Sequence, residues 1–165
     1  TSQLTAGGML NIDNLKAGND VTTQSAGDTH LGDVVLSSGS YKGNADGEFD
    51  VDQLLNVQNG GANLSSGTDM NLLSVTTSGD LTAQAGGNLN ATTLNAGGAA
   101  TLTATQGDLD VTGSLNTALN ATLASGGNTT INALTVGGAL LSNSGGDTHI
   151  VQGTVAGTSQ LTAGG

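Results

Sequence analysis

A short alternation of apolar and polar residues recurs along the whole chain. In "TDMNLLSV" (68–75), Met70 and Leu72 are apolar, and Asn71 between them is polar. Successive copies of this frame lie 19 to 21 residues apart. Its first position is held by Leu10, Thr29, Phe49, Met70, Leu89, Leu109, Thr129 and Thr148, and its second by Ile12, Leu31, Val51, Leu72, Ala91, Val111, Ile131 and Ile150. Since side chains alternate between the two faces of a strand, the frame predicts one strand with a buried face in each repeat.

Each repeat also contains a second, weaker alternating segment, as in "GDLTAQA" (79–85) and "AATLTAT" (99–105). Glycine pairs such as Gly86-Gly87 separate the segments and suit tight turns. A repeat of this length is too short for a βαβ unit of ~30 residues, and no segment shows helical spacing. The pattern therefore predicts an all-β fold, a right-handed parallel β-helix of about eight coils forming a rod roughly 40 Å long. A disordered chain would not keep this register.

Composition agrees with a narrow interior. Aromatic residues make up 1% of the chain, Tyr41 and Phe49, and Trp, Pro and Cys are absent. The net charge is −11, and Lys16 and Lys42 are the only basic residues. Nucleic-acid binding needs cationic side chains and is therefore excluded as a function class. No apolar run approaches the ~20 residues of a membrane span, so we expect no membrane insertion.

The octapeptide "TSQLTAGG" occupies residues 1–8 and returns at residues 158–165. Leu4 and Leu161 then fall at equivalent places eight coils apart, as in a super-repeat or a segment of a longer rod. Either interpretation treats the chain, residues 1–165, as one β-helical segment with further coils on both sides. Since uncapped coils expose backbone donors and acceptors, end-to-end self-association is also expected.

The stretch "GGNLNATTLNAGGAATLTATQGDLDVTGSL" (86–115) resembles the haemagglutinin-type repeats of filamentous haemagglutinin and related two-partner secretion exoproteins. The segments "LNAGGAATLTA" (94–104) and "AGNDVTTQSAGD" (17–28) are similar to the same repeat. This resemblance, to a family of adhesins and contact-dependent inhibition proteins, implies a β-helical shaft. It also implies export through an outer-membrane secretion partner and a secreted or bacterial cell-surface location.

The tetrapeptide "GDTH" occurs at 27–30 and again at 146–149. His30 and His149 fall between the two inward positions of their frames, so both are expected to point outward. They share this column with other polar residues, Asn11, Asp50, Asn71, Asn90, Asp110 and Thr130. Six coils separate the two imidazoles by ~29 Å, so they cannot share a metal. The column is interpreted as a solvated or ladder-forming surface.

The acidic stretch "NADGEFDVD" (44–52) contains Asp46, Glu48, Asp50 and Asp52. Its spacing matches neither an EF-hand loop nor the nonapeptide of calcium-binding β-rolls. Paired carboxylates could also serve a polysaccharide lyase, but the chain has no Arg and one Tyr. We therefore expect no catalytic residue, no cofactor and no metal site.

Residues 36–48 interrupt the repeat and are expected to form a lateral loop. Tyr41, Lys42, Asp46 and Glu48 would then be candidates for surface binding. The favoured function is a structural shaft that extends distal binding or toxin modules from the cell. The alternative is an adhesive module that contacts host glycans or proteins through a lateral face or this loop. A polysaccharide lyase-type enzyme is the third possibility.

Overall fold

Two kinds of strand alternate along residues 1–165, all of which the computed structural model describes. The short strands have five residues each: β1 (Ser2–Ala6), β3 (Val21–Ser25), β5 (Tyr41–Ala45), β7 (Ala62–Ser66), β9 (Leu81–Ala85), β11 (Ala100–Ala104), β13 (Ala121–Ser125), β15 (Leu140–Ser144) and β17 (Ser159–Ala163). The long strands have eight or nine: β2 (Leu10–Ala17), β4 (Thr29–Leu36), β6 (Phe49–Val57), β8 (Met70–Thr77), β10 (Leu89–Ala96), β12 (Leu109–Thr117), β14 (Thr129–Val136) and β16 (Thr148–Val155).

Every strand pairs in parallel with the strand of the same kind in the next coil. The short strands form a 9-stranded sheet and the long strands an 8-stranded sheet, both in chain order. The predicted parallel β-helix is therefore confirmed. It has about nine turns rather than eight, because β17 begins a further turn after the last long strand. The structure has no helix that could cross a membrane.

The interior is one continuous column of side chains, most of them small or aliphatic, with Tyr41 and Phe49 as its aromatic members. Alternation places Met70 and Leu72 of β8 inside, but the next inward residues are Val75 and Thr77. The period-two pattern thus slips by one residue in the middle of each long strand. Each long strand therefore supplies two runs of inward side chains and each short strand supplies one. The 35 buried hydrophobic residues form a single cluster along the axis.

The unequal spacing of the repeats has a simple structural origin. The short strands never vary in length, whereas β6 and β12 have nine residues instead of eight. The ladder shifts register beside both of these strands, at the slip. Further single residues lengthen three turns, at 37–40, 58–61 and 105–108, from three residues to four. The additional residues therefore lie at the mid-strand slips and in turns, where they leave the inward side chains of successive coils aligned.

The expected lateral loop at 36–48 is wrong. This segment comprises the last residue of β4, a four-residue turn, all of β5 and a three-residue turn before β6. Gly39 in the longer turn has a φ of 80°, and a Cβ there would lie 2.5 Å from the backbone nitrogen of Asp20. The interruption in the sequence is thus one additional turn residue that a glycine accommodates.

Asp and Asn side chains connect the turns of successive coils. Before the long strands, the Oδ1 atoms of Asp69, Asn88, Asp108 and Asn128 each accept the backbone N–H of the equivalent residue one coil further on. These bonds measure 2.6 to 2.9 Å. The Asp or Asn that ends one turn therefore holds the equivalent turn of the next coil.

Candidate functional site

The four residues selected for surface binding differ in exposure and in the element that carries them. Tyr41 is buried in β5, where its hydroxyl lies 2.7 Å from the Thr23 hydroxyl. Burial raises the pKa of Tyr41 well above its ordinary value, and the Thr23 hydrogen bond lowers it in part. Lys42 follows on the outer face of the same strand and is exposed. Asp46 and Glu48 lie in the turn that leads to β6, so the four residues are distributed over a strand and a turn.

The outward column of the long strands is present in the register expected from sequence. Asn11, His30, Asp50 and Asn71 are paired in consecutive strands, and the column continues through Asn90, Asp110, Thr130 and His149. This pairing places His30 of β4 directly beside Asp50 of β6. The Nδ1 atom of His30 lies 3.0 Å from Oδ2 of Asp50. An imidazole and a carboxylate of neighbouring coils therefore form a hydrogen-bonded ion pair when the imidazole is protonated.

Asp50 is held from its other side by a chain of amides. Its Oδ1 atom accepts a hydrogen bond of 2.8 Å from Nδ2 of Asn71, whose Oδ1 accepts one of 3.0 Å from Nδ2 of Asn90. Asn71 also donates to Glu48. The carboxylate is thus oriented with one oxygen toward the amides and the other toward His30.

The electrostatic environment of Asp50 is unfavourable for its charge. The residue is 8% exposed, unusually low for an outward position. Burial raises the pKa of Asp50, and repulsion from Asp52 and Asp28 raises it further. The hydrogen bond from Asn71 and the charge of His30 lower the pKa, but the balance remains a raised value. The site therefore carries negative charge that the nearby imidazole compensates only in part.

Asp52 completes a cluster with His30 and Asp50, which we call the His–Asp cluster. Residues 50 and 52 are two apart on β6, so both side chains leave the same face. Oδ2 of Asp52 lies 3.8 Å from Nδ1 of His30. One potential ligand atom from each residue lies within 4.8 Å of the others. Imidazole nitrogen and carboxylate oxygen are metal ligands, so this geometry can hold a cation or orient the imidazole.

The second "GDTH" forms no such cluster. His149 occupies the same column and is exposed; its paired neighbour in the preceding coil is Thr130, and β16 ends the long-strand sheet, so no residue lies beside His149 on the side where Asp50 lies beside His30. The two identical tetrapeptides therefore have different surroundings, because only His30 is paired with a residue of a following long strand. The pairing of His30 with Asp50 was not predicted from the sequence. The two residues are nevertheless successive members of the outward column in the sequence, which places them side by side.

Comparisons with known proteins supply no further assignment: no family model matches the chain, and no curated protein or solved structure is significantly similar to it.

Proposed function

We propose that this chain is a shaft segment of a large secreted bacterial exoprotein, holding distal binding or toxin modules away from the cell surface. The observation that supports this is the continuity of the backbone ladder. Of 124 backbone hydrogen bonds, 80 lie within strands, and the other 44 include bonds that join each turn to the next, such as Gly27 N–H to Gly8 C=O. Strands and turns are thus linked along the axis, as a stiff spacer requires. The proposal includes export through an outer-membrane partner.

A tandem protein tests the spacer function. Residues 1–157 followed by the full chain share one "TSQLTAGG" at the junction, so the ladder can continue without a change of register. We expect small-angle scattering and electron microscopy to show one straight rod of roughly twice the single-copy length of about 40 Å. The matched control lacks one residue of the junction strand, which would turn its inward side chains outward. Two separate or folded-back bodies in the intact tandem would contradict the shaft.

End-to-end association of single copies is part of the same proposal. β1 and β17 have the same sequence, SQLTA, and each is paired on one side only. Pairing β17 of one copy with β1 of another would place Leu161 over Leu4, and Leu161 is 50% exposed. Leu161→Asp should abolish concentration-dependent assembly in analytical ultracentrifugation. Gln160→Asp, which adds the same charge to the outward face, should not. A wild-type chain that stays monomeric at all concentrations would refute the association.

An adhesive role on a lateral face is the second candidate. Lys42 stands exposed on the short-strand sheet in a shallow depression lined by polar side chains, Thr22, Gln24, Asn44, Asn63 and Ser65. Such a surface could contact the hydroxyl groups of glycans. Binding to a glycan array that Lys42→Ala abolishes and Lys16→Ala preserves would favour adhesion over a purely structural role.

A further inference from the structure

We propose that His30, Asp50 and Asp52 form a binding site for a divalent transition-metal ion. Zn²⁺ is the ion whose bond lengths and ligand preference fit these residues. The site would use Nδ1 of His30 and one carboxylate oxygen from each aspartate. It joins two neighbouring coils, because His30 belongs to β4 whereas both aspartates belong to β6. The inference does not depend on the proposed shaft function.

The distances between the ligand atoms fit a small ion. Zinc bonds to nitrogen and oxygen of about 2.0–2.2 Å imply ligand-to-ligand distances of roughly 3.3–3.5 Å in a tetrahedron. The distances from Nδ1 of His30 are 3.0 Å to Asp50 and 3.8 Å to Asp52, one on each side of that range. Both distances from Nδ1 would therefore need to change by only a few tenths of an ångström, and the two carboxylate oxygens lie within 4.8 Å of each other. The fourth position would remain for water, as at zinc sites with three protein ligands.

The nature of the ligands distinguishes zinc from calcium. Calcium prefers six to eight oxygen ligands at longer distances, whereas this site offers one nitrogen and few oxygens. Asp50 is also positioned before any ion binds, since Asn71 holds its Oδ1 and leaves Oδ2 directed at the site. Hydrogen bonds of this kind from outside the ligand set orient ligands and strengthen metal binding.

The charge around the cluster favours a cation at the same place. Gly32 lies at the register shift between β4 and β6, next to Asp52 and Gln53. A Cβ at Gly32 would lie 2.3 Å from the carbonyl oxygen of Asp13, so this position cannot carry a side chain without a shift of the backbone. Asp28 adds negative charge nearby, and both lysines lie elsewhere, on β2 and β5. A divalent cation would supply the positive charge that the single imidazole provides only in part.

The two histidines make the wild-type chain its own control. We would titrate the full chain with ZnCl₂ by calorimetry and follow the imidazole nitrogens of His30 and His149 by NMR. The expected result is one bound equivalent with shifts at His30 while His149 stays unchanged. Equal perturbation of both imidazoles, or no binding at millimolar zinc, would overturn the site.

Variants then identify the ligands. His30→Asn introduces the residue that the column already carries at 11, 71 and 90, and Asp52→Asn alters a side chain that is 58% exposed. Each should weaken zinc binding at least about tenfold while circular dichroism stays unchanged. His149→Asn should leave the affinity unaltered. Unchanged zinc affinity in folded His30→Asn, or calcium binding as tight as zinc binding, would refute the assignment.

Discussion

Two coils of this solenoid fill equivalent interior positions with different residues. One coil places two aromatic rings there, and the other places only aliphatic side chains. In both, four inward positions, three on the short strand and one at the start of the long strand, are almost completely buried. The aromatic coil has Tyr41, Gly43, Ala45 and Phe49 at these positions, and the aliphatic coil has Leu81, Ala83, Ala85 and Leu89. The two sets occupy the same columns, with one coil between them.

The glycine explains how the aromatic coil fits. A Cβ on Gly43 would lie 2.5 Å from Cε2 of Phe49 and 2.9 Å from Cε1 of Tyr41. Both rings therefore occupy the volume that an inward side chain at position 43 would need. In the aliphatic coil the flanking residues are smaller, and Ala83 fits. The comparison indicates that the interior constrains the total volume of each coil, not the residue type at each position.

Removing a ring should have the largest effect. Phe49 is fully buried, so Phe49→Ala should lower the free energy of unfolding by about 3–5 kcal/mol through lost burial and a cavity. Guanidinium denaturation followed by circular dichroism measures this change. Leu119→Ala, at a side chain that is 57% exposed, is the control and should stay within about 0.5 kcal/mol of wild type. Equal effects of the two substitutions would show that the ring does not fill the core.

Adding volume beside the rings should be the next largest perturbation. Gly43→Ala forces Phe49 or Tyr41 to move and should cost about 1–3 kcal/mol. Gly153→Ala is the matched control, because the nearest atom to its Cβ would be Cγ2 of Ile150 at 3.4 Å.

The aliphatic coil supplies a rescue for this defect. The triple variant Tyr41→Leu, Gly43→Ala, Phe49→Leu reproduces the inward residues of that coil. If total volume is what matters, it should be more stable than Gly43→Ala alone in the same denaturation experiment. A triple variant less stable than the single one would show that position 43 requires glycine for another reason.

The regular part of this architecture is readable from sequence, because alternation and a constant period depend only on which residues are apolar. Ile12, Leu31 and Val51 fall in one column in the structure as they do in the alignment. The extra residue before Tyr41 was misinterpreted as a loop. A sequence shows that the period has lengthened, but whether a turn absorbs the residue depends on backbone conformation, here at Gly39.

The His–Asp cluster was missed for a different reason. Its members are 20 and 22 residues apart in the chain, and the interaction exists only through pairing of adjacent coils. Comparing each outward residue with its neighbours one coil away would have found it. The burial of Asp50 could not have been found in that way, since it depends on how closely Asn71 and its neighbours pack against the carboxylate.

The hydroxyl group of Tyr41 should contribute less to the free energy of unfolding than the two aromatic rings do. Tyr41→Phe leaves the Thr23 hydroxyl buried without its partner and should cost about 1–2 kcal/mol. Combining it with Thr23→Val should recover most of that loss in denaturation experiments. A double variant as unstable as Tyr41→Phe would show that the hydrogen bond is not the cause.

The same tyrosine gives the chain a defined alkaline response. Since burial raises the pKa of Tyr41, the folded state keeps a proton that the unfolded state releases above about pH 10. Stability should therefore fall as the pH rises beyond that value. Tyrosinate absorbance should appear only as the chain unfolds, and its appearance in the folded protein near pH 10 would contradict the buried hydroxyl.

The smallest effect is expected at the inward position that is Gly43 in the aromatic coil and Ala83 in the aliphatic coil. A later coil carries a serine at this position. Ser142 occupies this column in β15, is fully buried, and its Oγ atom has no hydrogen-bond partner. Nearby Ser144 differs, since its Oγ donates to the carbonyl of Gly146 at 2.7 Å and contacts the Thr148 hydroxyl at 2.8 Å. Ser142→Ala removes an unsatisfied hydroxyl and should stabilise the chain by about 1 kcal/mol, whereas Ser144→Ala should destabilise it by about the same amount. Thermal denaturation of the two variants compares them directly. A loss of stability in Ser142→Ala equal to that in Ser144→Ala would mean that the hydroxyl is satisfied in solution and that the column tolerates polarity as well as volume.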